Sequence, residues 1–184
     1  RDVLGSRGLG DVYKRQRGND MQIRPMELED IEQVVILENQ TWDTFNTPAP
    51  LPIANKDKII KDFENGTHYL VAEENQDILG VLDYHTYYPF PSGHHVVTFG
   101  IAVSEKTRGQ GIGRKLIQTF FDMTKADGYQ KVLIHVLSSN EKACTFYEKL
   151  GFKQEAILKN QFYLNHNYVD DLIYSYYLED IHAK

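Results

Sequence analysis

Six consecutive residues, Arg108-Gly109-Gln110-Gly111-Ile112-Gly113, have the composition of a backbone anion site. Glycines let the main chain approach a ligand closely, and the first amides of a following helix lack intrahelical acceptors. With the helix dipole, such amides attract phosphate oxygens. Two well-known phosphate loops do not fit. A P-loop, G-x-x-x-x-G-K-[ST], fails because Lys115 follows Arg114 and Leu116 stands where a magnesium-ligating hydroxyl belongs. The dinucleotide fingerprint G-x-G-x-x-G fails too: its third glycine is Arg114 counted from Gly109, and Leu116 counted from Gly111. What remains is the spacing Arg108-x-x-Gly111-x-Gly113, set against an ordinary tight turn.

The flanking segments would position such a loop. Val96 to Val103 is β-branched and apolar, as a buried strand requires. From Arg114 to Asp127, Leu116, Ile117, Phe120 and Met123 recur at helical intervals, and Gly128 follows as a C-terminal stop. A second strand, Val132 to Leu137, leads into Asn140-Glu141-Lys142-Ala143-Cys144-Thr145-Phe146-Tyr147-Glu148-Lys149-Leu150-Gly151-Phe152. There Asn140 suits an N-cap, Ala143, Phe146, Tyr147 and Leu150 share one helical face, and Gly151 ends the helix.

Both segments resemble signatures of the GNAT N-acetyltransferase superfamily. The first is similar to its acyl-coenzyme A pyrophosphate loop, and the second to N-x-x-A-x-x-F-Y-x-K-x-G-F nearly letter for letter. The layout matches from about Met21 to Glu179, and the specific motifs lie between Ile101 and Phe152. The resemblance implies an α/β (α+β mixed sheet) fold: a mostly antiparallel sheet of about seven strands, splayed at the cofactor site and flanked by about four helices. It implies acetyl-CoA as acyl donor and direct transfer to a primary amine, without an acyl-enzyme.

By resemblance, Tyr147 protonates the departing thiolate, the alternative being a tyrosine that packs with Phe146. Backbone groups of Ile101, Ala102 and Val103 lie along pantetheine, while Gly109, Gln110, Gly111, Ile112 and Gly113 cradle the pyrophosphate. Arg108 and Arg114 either meet phosphates or are solvated. Asn140 either binds the pantetheine arm or caps its helix.

Length, 184 residues, suits one compact domain. The first twenty residues have no initiator and no periodicity, and read as a non-native leader; residues 21–184 then form a single domain starting at Met21. The net charge is −6. Without the leader, which holds five basic and three acidic residues, it is −8. That balance disfavours nucleic acid as a partner. No apolar run reaches membrane-span length. One cysteine, Cys144, excludes an intramolecular disulfide and suits a reducing cytoplasm. The seven histidines show no zinc spacing, so no metal is expected. Twelve tyrosines and nine phenylalanines exceed what a core of this size needs, so several are expected along a cleft. The family often forms homodimers, though no residue here points to one.

The remaining elements read as a strand at Gln22–Arg24, helices over 27–40 and 56–65, and strands over 69–73 and 78–84. A terminal hairpin spans 154–162 and 168–178. The resemblance places the acceptor against the loop between the first two helices and the last strands. Trp42, Asp43, Phe45 and Asp83 are therefore the candidate acceptor residues, with Tyr163, Tyr168, Asp170 and Asp171 nearby. Aromatics beside carboxylates suit a cationic amine; the alternatives are a core Trp42 and a solvated edge at Asp170-Asp171. His94, His95, His85, Glu38 and Asp83 stay open as the proton acceptor, as does water, while His135 reads as structural and Cys144 as a small buried residue. A non-catalytic acyl-CoA-binding regulatory module is the competing function, and a nucleotide-binding module a more distant one.

Overall fold

The computed structural model describes residues 21–179. The leader assigned from sequence lies outside the described residues. In chain order the elements are β1 (Gln22–Pro25), α1 (Ile31–Thr41), α2 (Lys56–Glu64), β2 (His68–Glu74), β3 (Asp77–Thr86), β4 (Val96–Val103), α3 (Ile112–Ala126), β5 (Lys131–Leu137), α4 (Glu141–Lys149), β6 (Lys153–Leu164) and β7 (Asn167–Tyr177). The seven strands make one sheet in the order β1-β2-β3-β4-β5-β7-β6. Every neighbouring pair is antiparallel except β4 and β5. A parallel pair needs a crossover, and α3 supplies it.

Alternation along the strands gives the sheet two apolar faces. On one, Leu82, Val97, Phe99, Val132 and Ile134 pack under α3 and α4, against Leu116, Ile117, Phe120 and Tyr147. On the other, Val71, Val81 and Ala102 pack under α1 and α2, against Val34, Leu37 and Ile59. The aromatic surplus goes largely to the first face. Phe99, Phe120, Phe121, Tyr147, Phe152 and Tyr176 form a chain of ring contacts with centroids 4.3–6.1 Å apart. Most of these rings are core.

Polar contacts fix the second face. Arg24 on β1 gives Nε to Glu73 on β2 at 2.6 Å, and two guanidinium nitrogens to Asp30 at 2.6 and 2.9 Å. Asp30 immediately precedes α1, so this partly buried bidentate network anchors that helix to the sheet edge. Several boundaries shift by one to four residues, α1 starting at Ile31 where Glu27 was expected, and one shift bears on the glycine loop. Helix α3 starts at Ile112, two residues before Arg114, because Gly111 takes the left-handed conformation (φ 77°) and serves as N-cap. Gly113 is thereby a helical residue.

Candidate active site

The β4–β5 ladder consists of only two residue pairs, Val96↔Lys131 and Val97↔Val132. Beyond them the strands diverge. Tyr87 N–H bonds to Val96 O, and Ser104 N–H bonds to Leu79 O, so the even-numbered backbone groups of β4 face β3. Phe99, Ile101 and Val103 consequently turn their N–H and C=O groups into the opening, without a strand partner. Ala102 is a core residue of the α1 face, and its backbone is spent on β3.

The glycine loop closes one end of the opening. Gly109 and Gly111 adopt φ of 84° and 77°, and a Cβ at either would meet no atom within 4 Å. Conformation, not space, demands glycine there. The first closing bond of α3 runs from Lys115 N–H to Gly111 O. The amides of Ile112, Gly113 and Arg114 therefore have no intrahelical acceptor. Gly113 serves differently: a Cβ there would lie 3.2 Å from the Phe146 ring, so its absence lets α3 and α4 approach.

Arg108 is exposed and pairs with Glu105 at 2.6 Å. With Val103, Asn140, Asp43 and Phe45 it lines a cleft of about 560 Å³ beside the opening. Arg114 points elsewhere, into a groove between α3 and the end of α4 that also holds Lys115, Lys125 and Lys149. The two arginines do not share a site.

Helix α4 brings Tyr147 under the opening from the α3–α4 face. The residue is buried against Phe99, Phe146 and Phe152, and its hydroxyl has no hydrogen-bond partner among the described residues. Burial drives its pKa well above the ordinary phenol value, with Cys144 adding to the effect. The hydroxyl stays protonated and free to donate. Asn140 caps α4 through Oδ1, accepting from Ala143 N–H at 3.2 Å. Its side-chain NH2 has no hydrogen-bond partner among the described residues. The Cys144 thiol is half-buried, and burial pushes its pKa up.

Across the sheet, Trp42 at the end of α1 donates its indole N–H to Glu38. Both border a cavity of about 210 Å³ with Tyr69, Lys58, Asp83 and Gly100. Asp83 pairs with Gly100 in the β3–β4 register, and a Cβ on Gly100 would come within 2.8 Å of the Asp83 carboxylate. The missing side chain leaves that carboxylate open to the cavity. Burial raises the Asp83 pKa. Burial first, and then Asp83, push Glu38 up to about 7.

Asp43 and Phe45, expected as acceptor residues, line the larger cleft rather than the cavity that holds Trp42 and Asp83. Asp43 Oδ1 accepts the backbone N–H groups of Phe45 and Asn46, building the loop itself. Phe45 is 62% exposed at the rim. The loop is tied down by Ser139 Oγ on Phe45 O and by Asn165 on Thr44 O. His94 and His95 are exposed in the β3–β4 connection, and His85 is exposed on the same face as Asp83.

Asp171 is not a solvated edge: it is buried and bonds His135 Nδ1 at 2.6 Å, while Tyr87 Oη meets His135 Nε2 at 2.8 Å. Asp170 alone is tied to Lys159 and the Asn160 amide. His135, expected from the sequence to be structural, is the centre of this hydrogen-bonded line. The available signal was its alternation with Val132, Ile134 and Val136, which sends His135 to the opposite face from the core. Among the described residues, no group of three His, Cys, Asp or Glu side chains is arranged to hold a metal.

The Glu38 environment yields a stability test. Its pKa is about 7 in the fold against 4.5 as the reference, so the folded state holds more protons between these values. The neutral carboxyl's contribution is complete below about pH 4.5 and is lost as pH rises through 7. Glu38→Gln should therefore stabilise the chain at pH 8, by up to about 3 kcal/mol, and change little at pH 4.5. Urea unfolding at the two pH values checks this; equal effects at both would contradict it.

The family model for the acetyltransferase (GNAT) family matches residues 34–152. The structure of smu.2055 from Streptococcus mutans UA159 shares 64% identity with the chain at a TM-score of 0.84, covering 86% of this chain and 99% of that one. An N-alpha-acetyltransferase of Sulfurisphaera tokodaii is 25% identical over 160 residues, 83% of this chain and 92% of its own length. The fold also matches that of a GNAT superfamily phosphinothricin acetyltransferase from Sinorhizobium meliloti solved with AcCoA. That match has TM-score 0.78 at 18% identity, covering 89% of this chain and 92% of that one. The strand–glycine loop–helix unit and the helix bearing Tyr147 both fall within the matched residues, and the chain belongs to the GNAT acetyltransferase family.

Proposed function

We propose that the chain is an acetyl-CoA-dependent N-acetyltransferase acting on a primary amine of a small molecule or peptide. The observation that carries this reading is the opening between β4 and β5. It exposes unpaired strand backbone to one side of a glycine-rich helix N-terminus, and sets the free Tyr147 hydroxyl and the carboxylate-lined cavity on opposite faces. The residues present suit the donor. The unsatisfied amides of Ile112, Gly113 and Arg114 match pyrophosphate oxygens, the exposed backbone of Ile101 and Val103 matches the amides of pantetheine, and the unengaged Asn140 NH2 adds a donor.

When bound, acetyl-CoA supplies an activated acetyl group. The chain orients that group, offers a β4 N–H to the carbonyl oxygen as charge builds there, and donates the Tyr147 proton to the leaving sulfur. Asp83 and Glu38 attract the acceptor as an ammonium ion, beside the indole of Trp42. The single unpaired cysteine fits a reducing compartment, and the proposal sets the enzyme in the cytoplasm.

Thiol release from acetyl-CoA, measured across amines, polyamines, amino acids and short peptides with an acceptor-free control, tests the reading. Amine-dependent release is expected. Clear coenzyme A binding with no release for any acceptor would favour the competing binding-module reading. With the best acceptor, Tyr147→Phe should lower kcat about a hundredfold while leaving the acetyl-CoA Kd unchanged. Undiminished turnover would remove Tyr147 from the mechanism.

For the loop, Gly111→Val should weaken coenzyme A binding tenfold or more, because φ 77° is costly for a β-branched residue. Arg108→Ala, at an exposed side chain already paired with Glu105, should cost less than threefold in titration calorimetry. The reverse ranking would count against the backbone cradle.

A further inference from the structure

Three side chains on the acceptor face form a continuous hydrogen-bonded line. Asp171 on β7 holds His135 Nδ1 at 2.6 Å, and His135 Nε2 meets the Tyr87 hydroxyl at 2.8 Å. The Tyr87 and His135 rings are nearly parallel, 3° apart in plane, with centroids separated by 6.0 Å. The Asp171 side chain is 6% exposed, whereas that of His135 is 38% exposed. A buried carboxylate thus fixes an imidazole whose other edge faces outward.

The hydrogen bonds assign the proton positions. An ionised carboxylate only accepts, so neutral His135 carries its proton on Nδ1. Nε2 is then the basic nitrogen, and the Tyr87 O–H donates to it. The same logic of a base oriented by a carboxylate underlies the Ser-His-Asp arrangement.

Position along β4 and β5 relates the line to the carboxylate cavity. The parallel pair Val97↔Val132, continued in step, sets His135 level with Gly100 across the opening, and Gly100 is the residue opposite Asp83. Gly100 has no side chain, and the Asp83 carboxylate lies over it, 2.8 Å from where a Cβ would be. Trp42 lines both the carboxylate cavity and a second cavity of about 260 Å³ that contains His135 and Asp171.

We propose that Tyr87, His135 and Asp171 are the proton-accepting relay of the transfer. The inference rests on the N-acetyltransferase reading. The bound ammonium first loses one proton to Tyr87 Oη, which frees the lone pair that bonds to the acetyl carbon; as the carbon–sulfur bond breaks, the second nitrogen proton leaves by the same route. The phenolic proton passes to His135 Nε2, and the imidazolium formed lies against the Asp171 carboxylate. His135, being accessible, returns the proton to solvent. Tyr147 gives one proton to sulfur and regains one from solvent, so the ammonium and the thioester yield the amide, the free thiol and one net proton. In this scheme Asp171 is a positioning residue, and Glu38 and Asp83 attract the ammonium form without taking the proton.

The test uses the full chain and the amine that gives the highest wild-type rate of thiol release. His135→Gln should lower kcat by about a hundredfold, with acetyl-CoA Kd and melting temperature held near wild type. Tyr87→Phe should cost about tenfold, since water can replace the phenol in front of Nε2. Nitrogen-15 spectra of histidine side chains should show wild-type His135 protonated on Nδ1 in its neutral form, with that tautomer's dominance lost in Asp171→Asn. A merely structural aspartate would leave the tautomer unchanged.

Turnover of His135→Gln within threefold of wild type would overturn the relay, as would a neutral His135 protonated on Nε2. Loss of turnover in Glu38→Gln with His135→Gln active would move the proton to Glu38 instead. Absence of amine-dependent release in the wild-type chain would sink the transferase reading itself, and the relay with it.

Discussion

The structure depends on the early end of one ladder. Six strand pairs build the sheet, and only β4 with β5 runs parallel, meeting at two residue pairs before the strands part. An interior strand normally spends its N–H and C=O groups on both neighbours, and unpaired ones are costly if buried. Here they border an opening. The α3 crossover that makes β4 and β5 parallel also delivers the glycine loop to the same end, so one topological fact yields both the strand backbone and the amide cradle.

The two faces of the opening differ in chemistry. Beneath α3 and α4, linked aromatic rings surround Tyr147, and the resulting desolvation keeps its hydroxyl protonated. Beneath α1, polar groups gather instead: Glu38 against the Trp42 indole, Asp83 over Gly100, and His135 between Tyr87 and Asp171. In the proposed transfer, the donor to sulfur and the acceptors from nitrogen thus lie on opposite sides of the opening. The Arg24–Asp30–Glu73 network at the sheet edge contributes indirectly. By anchoring the start of α1, it fixes the helix that carries Glu38 and Trp42.

What was legible in the sequence is local. The loop and the α4 segment each complete a strand, turn or cap within about a dozen residues, so together they could be matched to the family's two signatures, although the loop's spacing alone left an ordinary tight turn open. At Asn75, Asn165 and His166 the left-handed turn positions hold types that tolerate positive φ, whereas Gln76, at φ 72°, carries no such signal. The relay was not readable. Tyr87, His135 and Asp171 are 48 and 36 residues apart, and only the register of β5 against β7 and the reach of Tyr87 past β4 bring them together. Glu38 was named as a candidate base, but its raised pKa comes from burial beside Asp83, which composition cannot show. The start of α3 was misread because Gly111 acts as the cap, which puts Gly113 inside the helix.

The most direct test of the central claim, that the β4–β5 opening holds the acyl donor by its backbone, is amide hydrogen exchange with and without coenzyme A. The account predicts slowed exchange at Ile101 and Val103, whose N–H groups lack strand partners, and at Ile112, Gly113 and Arg114. Exchange at Ala102, already bonded to β3, should change least among the β4 residues. Binding of coenzyme A that protects neither β4 nor the start of α3, or that protects only the Arg114–Lys149 groove, would contradict the claim.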